Sequence, residues 1–386
     1  MFGNLRIVMF LSDGFGGFGG ISRFNRDFLS ALDLSNHVER VQAVPRVISE
    51  PITEPVPESV VYDRRAARGK PAFLFRSLTY AQRDHRTHLV ICGHLNLLAV
   101  AYFVARLQRA RIVLILHGIE SWVPTKDRLV NLVAPRIDSF IAVSQYTADR
   151  FVSWSGARQE HGFILPNCVD LEKFVAAPRD TGLAVRYGIE QKKVLMTMGR
   201  MESRERYKGF DEVIDAMPAL LKHRQDLVYF AVGDGPDRPR LEAKARALKL
   251  DGQVIFPGRI PEGEKVAHYN LADVYVMPSS GEGFGIVLIE AAACGVPLVG
   301  SAADGSRDAL LDGRLGQLID PHNPQELVAA VLRALEQPHE RLQAVETFSV
   351  PSFRARVSAW SGNLRDQISA DSAARSVREN RHVAAR

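Results

Sequence analysis

The segment 273–300, "DVYVMPSSGEGFGIVLIEAAACGVPLVG", contains one complete α/β unit. An apolar run is followed by a glycine-rich stretch at 281–286 and by a helical run that stops at Gly295 and Pro297, before the next apolar run. Short continuous apolar runs separated by helices are typical of parallel sheets covered on both faces. Glycines at a helix entrance let an anion approach the free amides and the positive end of the helix dipole. The segment therefore predicts a parallel sheet with a phosphate site at a strand end.

The same alternation extends along the whole chain. The runs predicted as strands are 5–11, 88–93, 111–118, 139–144, 193–200, 226–235, 253–258, 273–279 and 297–300. They are too many for one comfortable sheet, and the pattern restarts near residue 193. The predicted fold class is α/β, with two Rossmann-like domains that face each other across a cleft. Ligands of such sheets bind beyond the carboxyl ends of the strands.

Domain boundaries follow from the same pattern. The first domain is predicted at 1–175 and the second at 190–345, with a linker at about 170–190 that contains proline and charged residues. The last segment, 367–386, is polar and basic with little to bury, and it predicts a disordered tail.

The composition is typical of a globular chain, and no segment is predicted to span a membrane. The 386 residues are 46% hydrophobic and 24% charged, with a mild net charge of +5. Cys92, Cys168 and Cys294 are far apart, which suits a reducing compartment and forms neither a disulfide framework nor a zinc cluster. No apolar run reaches the roughly 18–20 residues of a spanning helix, and the run at 5–11 predicts a buried strand rather than a signal peptide. We expect a cytoplasmic protein.

One segment, 64–86, is strongly basic. It holds seven lysine and arginine residues against one acid, Asp84, and its aromatic residues lie inside that run. Such a segment can lie on the inner face of an anionic membrane, but it can equally be a solvated helix face around a few core aromatics. Both interpretations stay open at this point. Nucleic acid binding is a weaker third, because nothing else on the chain supports it.

Two glutamates, Glu282 and Glu290, flank the glycine-rich helix entrance. In a helix they lie roughly 12 Å apart along the axis, whereas a glycosidase pair needs carboxyl groups about 5–9.5 Å apart. The spacing excludes that pair and fits two carboxylates that accept hydrogen bonds from separate hydroxyl groups of one bound molecule. The alternative is that Glu290 is partly exposed and pairs with a nearby base. Arg200 and Lys208, at the end of the run 193–200 and at a helix start, suit a diphosphate.

Several motifs lie in a fixed order over about 194–335: "GRMESRERYKG", "AVGDGP", "VIFPGRI", "DVYVMPSSGEGFGIVLIEAAACGVPLVG" and "DGRLGQLIDPHNPQELVAAV". This half of the chain resembles the nucleotide-sugar domain of the large GT-B family of retaining glycosyltransferases, family four. That family includes sucrose synthase and bacterial mannosyltransferases. One stretch departs from it, since many members have Gly-Gly-x-x-Glu where this chain has "ADGSRDALLDG".

The resemblance implies a set of donor-binding residues in the second domain. They are Gly199, Arg200 and Lys208 for the diphosphate, Arg259 and Ile260 for the base through the main chain, Glu282 for the sugar hydroxyls, Gly283, Phe284 and Gly285 for sugar and phosphate through amides, and Glu290 for the ribose. It also implies that a helix at 346–366 crosses back to the first, acceptor-binding domain.

The first half carries "LSDGFGGFGGISRF", in which Gly14, Gly16 and Gly19 satisfy G-x-G-x-x-G. This loop at 14–20 supports a rival hypothesis, an NAD(P)-dependent oxidoreductase. That hypothesis requires an acid at the end of the second strand, and Asp33 and Glu39 fit this position poorly. In the resembled family a Gly-Gly loop here faces the acceptor and the donor phosphates. Gly16, Gly17, Gly19 and Gly20 match it loosely, which leaves the choice of pair open, and Gly16 and Gly17 are the candidate donor-binding residues.

His117, in "LHGIESW", matches the strand-end histidine that contacts the donor sugar in the resembled family. The implied catalytic set is His117, Arg200, Lys208 and Glu282, acting on a GDP- or UDP-linked hexose. We expect a glycan or polyprenyl-linked acceptor in envelope or exopolysaccharide synthesis. No Asp-x-Asp occurs in the chain, so no metal site and no cofactor are predicted. A third hypothesis is a non-catalytic membrane or nucleic-acid binder that uses 64–86.

Overall fold

The computed structural model describes residues 3–82 and 87–384, and the chain divides into two compact units. The first comprises the residues up to Val143, Thr147–Leu165 and the residues from Pro351 onward. The second comprises Ser144–Tyr146 and Pro166–Val350. The segment 170–190, predicted as a linker, therefore belongs to the second unit.

The first unit contains a seven-stranded parallel sheet in the order β3-β2-β1-β4-β5-β6-β7. In each of its seven strands, every residue or all but one or two are at least partly buried, as expected for a sheet covered on both faces. Its strands are β1 (Leu5–Leu11), β2 (Val38–Pro45), β3 (Val60–Tyr62), β4 (Leu89–Cys92), β5 (Arg111–Leu116), β6 (Ser139–Ala142) and β7 (Gly162–Ile164). Its helices are α1 (Gly20–Asp33), α2 (Lys70–Tyr80), α3 (Leu98–Gln108), α4 (Arg128–Val133) and most of α5 (Gln145–Ser155).

The second unit contains a six-stranded parallel sheet in the order β10-β9-β8-β11-β12-β13. Its strands are β8 (Lys193–Met198), β9 (Leu227–Val232), β10 (Val254–Gly258), β11 (Val274–Met277), β12 (Leu298–Ser301) and β13 (Gln317–Ile319). Its helices are α6 (Thr181–Tyr187), α7 (Phe210–His223), α8 (Arg238–Ala247), α9 (Lys265–Tyr269), α10 (Ile286–Ala293), α11 (Ser306–Ala309) and α12 (Pro324–Ala334). The predicted fold class, two parallel α/β sheets, is confirmed.

The last helix, α13 (Val350–Ala384), contacts α1 within the first unit. Trp360 packs against Phe28 with ring centroids 5.7 Å apart, and the hydroxyls of Ser361 and Ser35 lie 2.8 Å apart. The helix predicted at 346–366 is therefore present, and it begins at Val350 after a 3₁₀ turn.

The predicted disorder of 367–386 is wrong for residues 367–384, which continue α13. Ile368 is buried, and Arg111 donates a hydrogen bond to Gln367. The polar composition hid this because Gln367 and Asp371 contact the first sheet through a hydrogen bond and an ion pair with Arg111. In the described ranges, no helix combines the length and the apolar character that crossing a bilayer requires.

Candidate functional site

In the second unit, β8 and β11 are neighbours although they are not consecutive in sequence. This is the point where the strand order reverses, and ligands of open α/β sheets bind at the carboxyl ends of strands there. The loops that follow β8 and β11 carry Arg200, Lys208 and Glu282. A main-chain hydrogen bond from Ser280 to the Tyr207 carbonyl, 2.8 Å, joins the two loops.

Four charged side chains of these loops form what we name the charged cluster: Arg200, Glu205, Lys208 and Glu282. Lys208 Nζ lies 3.1 Å from Glu282 Oε2 and 3.9 Å from Glu205 Oε2. Arg200 Nη2 lies 2.7 Å from Glu205 Oε1. The structure thus brings together three residues predicted for the donor site, and it adds Glu205, which the sequence analysis missed.

Lys208 is the less exposed cation of the cluster, with 17% of its side chain accessible against 58% for Arg200. Burial lowers the pKa of its ammonium group, but Glu282, Tyr207 and Glu205 outweigh this and hold the pKa above its usual value. The Tyr207 ring also lies 5.4 Å from Nζ. Lys208 is therefore a fixed positive charge at neutral pH.

The chain reaches Lys208 through a turn that requires glycine. Gly209 has φ of +86°, and a Cβ atom there would lie 2.7 Å from Pro278 Cδ. Only glycine lets the start of α7 approach the loop after β11 this closely. The close approach of these backbones sets the distance between Lys208 and Glu282.

The entrance of α10 offers main-chain donors. The N–H groups of Phe284 and Gly285 donate no hydrogen bond within the described parts of the chain. The Phe284 side chain is buried against Phe348, with ring centroids 5.4 Å apart, so the backbone at this turn is anchored. Gly283 is held by its carbonyl, which accepts a 2.6 Å hydrogen bond from Ser144 Oγ. Two anchored donor groups at the positive end of a helix suit an oxyanion.

Glu290 is fully buried inside α10, so the alternative of a partly exposed Glu290 is wrong. Its Oε2 accepts a 2.7 Å hydrogen bond from the Tyr269 hydroxyl, and Lys265 Nζ lies 3.5 Å from Oε1. The pairing with a nearby base, the other part of that alternative, is present. Tyr269 and Lys265 are one turn apart on α9, a spacing that could have indicated a shared face.

The other residue pair predicted for this unit, Arg259 and Ile260, directly follows β10. This strand is at the edge of the sheet, separated from β8 by β9. The charged cluster and the β10 end are therefore at the same carboxyl edge, two strands apart. Gly199 directly follows β8 and precedes Arg200 of the charged cluster.

In the first unit, His117 directly follows β5. Its Nε2 lies 2.9 Å from the Gly93 carbonyl oxygen. A carbonyl only accepts, so Nε2 carries the proton and Nδ1 is left as an acceptor. Burial lowers the pKa of His117, an effect that Glu120 only partly opposes. The imidazole is therefore neutral at pH 7.

Gly16 and Gly17 lie in the loop between β1 and α1, which is bound to its own unit. The Gly16 carbonyl accepts hydrogen bonds from the N–H groups of Ser49 and Glu50, at 3.0 and 2.9 Å. Arg26 donates to the Gly17 carbonyl at 3.2 Å. The loop is thus a fixed turn rather than an open one.

The rival dinucleotide hypothesis fails at the second strand. That hypothesis requires an acid at the carboxyl end of β2, but β2 ends at Pro45 and Arg46 follows. Glu39 lies near the start of β2 and Asp33 at the end of α1. In the described residues, no group of three or more histidine, cysteine or acidic side chains could hold a metal ion.

Two family models match the chain. The family described as "Glycosyl transferases group 1" matches residues 184–347, and "Glycosyltransferase Family 4" matches residues 18–173. The first match spans all strands of the second sheet, and the second match spans the first sheet from β2 to β7.

Curated relatives are similar to this chain. The chain is 33% identical over 307 residues to a GDP-mannose-dependent alpha-(1-6)-phosphatidylinositol monomannoside mannosyltransferase of Mycolicibacterium smegmatis, covering 76% of this chain and 75% of that protein. It is 36% identical over 169 residues to a phosphatidyl-myo-inositol mannosyltransferase of Mycobacterium tuberculosis, covering 44% and 42%.

Solved structures share the fold. Anabaena Alr3699/HepE in complex with UDP-glucose matches with a TM-score of 0.69 at 20% identity, covering 96% of this chain and all of that chain. Sucrose-phosphate synthase from Thermosynechococcus elongatus matches with a TM-score of 0.66 at 19% identity, covering 98% and 100%. At these identities the likeness shows the GT-B fold alone.

Proposed function

Because the chain belongs to the family 4, or group 1, glycosyltransferases, we propose that it transfers a mannosyl group from GDP-mannose to a lipid-linked acceptor. The name of the M. smegmatis relative, which matches 76% of this chain, supports the donor and the lipid acceptor. A UDP-linked hexose is the alternative donor. Transfer with retention of configuration and without a metal ion completes the proposal.

The charged cluster is the observation that carries this proposal. It holds two cations beside two carboxylates at the reversal point of the sheet, next to the open amides of Phe284 and Gly285. A nucleotide sugar would replace both kinds of internal partner: its diphosphate would take Arg200 and Lys208, and its sugar hydroxyls would donate to Glu282. The chemistry of the cluster therefore matches the chemistry of the donor molecule.

The same cations would assist bond cleavage. When the glycosidic bond breaks, negative charge develops on the leaving diphosphate oxygen. Lys208, Arg200 and the α10 amides are fixed donors at that place, and such preorganised groups are the main source of stabilisation in transfer reactions. Gly199 would let the phosphates approach the chain closely.

Glu290 is proposed to bind the ribose. Its carboxylate is held by the Tyr269 hydroxyl and by Lys265. A carboxylate is an acceptor, as the two hydroxyl donors of a ribose require. Arg259 and Ile260 are proposed to hold the base through the main chain.

In the first unit, we assign His117 to the donor sugar near the reaction centre. A neutral imidazole with Nδ1 as acceptor suits a sugar hydroxyl, which donates, better than a phosphate. Gly16 and Gly17 are proposed to contact the acceptor or the donor phosphates. Gly283 joins the α10 amides in contacting sugar and phosphate.

We also propose that helix α2 contacts an anionic membrane. Its inner face packs Phe73 and Tyr80 into the core, whereas Phe75 is 65% exposed. Leu74 and Leu78 are exposed as well, and Arg64, Arg65, Arg68 and Lys70 precede or begin the helix. Phe73 and Tyr80 are the core aromatics that the solvated-face interpretation of 64–86 expects, and the exposed apolar side chains support the membrane proposal. Arg83 and Arg86 lie outside the described residues.

Ligand binding and transfer together test the proposal. GDP-mannose at saturation is expected to raise the melting temperature by several degrees. With membranes that contain phosphatidylinositol mannosides or polyprenyl-linked sugars, labelled mannose should enter the lipid fraction. If only UDP-hexoses raise the melting temperature, the donor is a UDP-linked sugar instead. If labelled mannose is transferred only to free sugars, the lipid acceptor is wrong. If only NADH changes the melting temperature, the proposed function is wrong.

A further inference from the structure

We propose that Asp304 is a positioning residue of the donor site, which fixes the main chain at Glu282 so that the Glu282 carboxylate is presented to the donor sugar. The inference rests on the proposed role of Glu282. It concerns the stretch 303–313, where this chain departs from the Gly-Gly-x-x-Glu pattern.

The carboxylate of Asp304 is fully buried and accepts three hydrogen bonds. Oδ2 accepts from Ser279 Oγ at 2.7 Å and from the Glu282 N–H at 2.8 Å. Oδ1 accepts from the Ser306 N–H at 2.9 Å. One side chain thereby joins the loop after β11 to the loop after β12.

The next residue fixes the other side of Glu282. The Gly305 N–H donates to the Glu282 carbonyl at 2.9 Å. A Cβ atom on Gly305 would lie 2.0 Å from the Gly283 carbonyl oxygen, so only glycine permits this approach. Because both its N–H and its carbonyl are bonded to residues 304–305, Glu282 has a fixed backbone. Its side chain is then directed to Lys208.

No ion pair of the described residues involves Asp304, and all three donors are neutral groups. Burial raises the pKa of Asp304 to about 6, although the hydrogen bonds from Glu282, Ser279 and Ser306 oppose this. The charged residues in the segments bonded to Asp304 are Glu282, whose own carboxylate pairs with Lys208, and Arg307 and Asp308 further along its own loop. Below about pH 6 the Asp304 carboxyl group would be protonated while facing three hydrogen-bond donors. The hydrogen bonds between the two loops would then weaken.

The distinguishing consequence is selectivity for one part of the donor. Asp304 acts through Glu282, which is assigned to the sugar and not to the nucleotide. Losing Asp304 should therefore weaken recognition of the sugar and leave recognition of GDP unchanged. A general loss of folding would weaken both.

The experiment compares full-length wild type with Asp304→Asn, Ser279→Ala and a matched control, Asp273→Asn. Asp273 also accepts a main-chain hydrogen bond, from Val194 N–H at 2.8 Å, but at the amino edge of the same sheet. Calorimetry gives the affinities for GDP and GDP-mannose, and transfer assays give kcat and KM between pH 5 and 8.

For Asp304→Asn we expect kcat/KM for GDP-mannose to fall by about tenfold or more, the size expected when a hydrogen bond to a charged group is lost. The affinity for GDP should stay unchanged, and the loss of activity of the wild type near pH 6 should be absent or shifted. Ser279→Ala should change the same quantities in the same direction by less.

The outcomes separate the two proposals. If wild type binds GDP-mannose no differently from GDP and transfers nothing, the proposed function is wrong. If wild type is active but Asp304→Asn behaves like Asp273→Asn, the role of Asp304 is wrong. If Asp304→Asn loses GDP affinity as much as sugar discrimination, the residue is structural only, and the proposal is overturned.

Discussion

The two sheets have the same topology at their centres but present different chemistry there. β1 lies between β2 and β4 as β8 lies between β9 and β11, so both units have a reversal point. At the second, ionised side chains dominate: the charged cluster pairs Lys208 with Glu282 and Arg200 with Glu205.

At the first, main-chain groups dominate, with the glycine loop after β1 and a neutral His117 bonded to Gly93 after β4. We infer that the two edges bind chemically different parts of the substrates. The second edge suits a charged diphosphate, and the first suits uncharged hydroxyl groups. The predictions below test that division.

The largest effect is expected for Lys208, the less exposed cation of the charged cluster. Lys208→Ala should lower kcat/KM by about 100- to 1,000-fold, since it removes a fixed charge from the place where the leaving group becomes anionic. Arg206→Ala is the matched control, because Arg206 lies in the same loop but pairs with Asp237 and is mostly exposed. Steady-state kinetics with GDP-mannose measure both. Near-normal activity of Lys208→Ala would show that the charged cluster does not act in catalysis.

A smaller effect is expected at the first edge. His117→Ala should lower kcat/KM by about tenfold, the value of one or two lost hydrogen bonds. Since burial lowers the pKa of His117, the imidazole is neutral at neutral pH, and its contribution should be lost at a lower pH than that of an ordinary histidine.

A pH–rate profile compared between wild type and His117→Ala checks this. A loss in the variant as large as that for Lys208→Ala would contradict the division between the two edges, because the neutral edge would then carry as much of the reaction as the charged one.

Removing the exposed apolar side chains of α2, the proposed membrane contact, is expected to change membrane binding to a similar extent without changing catalysis. Phe75→Ser with Leu78→Ser removes exposed apolar area from α2, and binding to anionic vesicles should fall by about tenfold or more. Leu248→Ser, at an exposed leucine of the second unit, is the control.

Vesicle sedimentation at two salt concentrations measures this effect. Equal binding by both variants would place the membrane contact elsewhere. Unchanged transfer to a detergent-dispersed acceptor would show that the chemistry at the two edges does not depend on that contact.

Much of the fold was predictable because it depends on local pattern. The buried parallel strands are continuous apolar runs, and the glycine-rich entrance of α10 follows one of them. Arg200, Lys208 and Glu282 could be found because each lies next to such a strand end. The long polar part of α13 could not, since its contact with Arg111 joins residues 256 positions apart.

The partners within the site were also hidden. Glu205 lies in a charged loop whose acids all look alike in sequence, and only the folded backbone selects it for Arg200. Glu290 is buried because Tyr269 and Lys265, from another helix, supply its hydrogen bonds. Asp304 resembles an ordinary loop acid until the three donors around it are known. Each is a long-range contact that no local pattern encodes.

The smallest expected effect is that of removing metal ions. If Arg200, Lys208 and the α10 amides supply the positive potential for the leaving diphosphate, a divalent cation has no charge left to neutralise there. Dialysis against EDTA should therefore leave kcat/KM for GDP-mannose unchanged, and added Mg²⁺ or Mn²⁺ should not raise it. The control is Lys208→Ala, in which added Mg²⁺ could recover some activity by replacing the lost charge. If EDTA abolishes wild-type activity and one metal ion restores it, then Arg200, Lys208 and the α10 amides do not neutralise the leaving diphosphate by themselves.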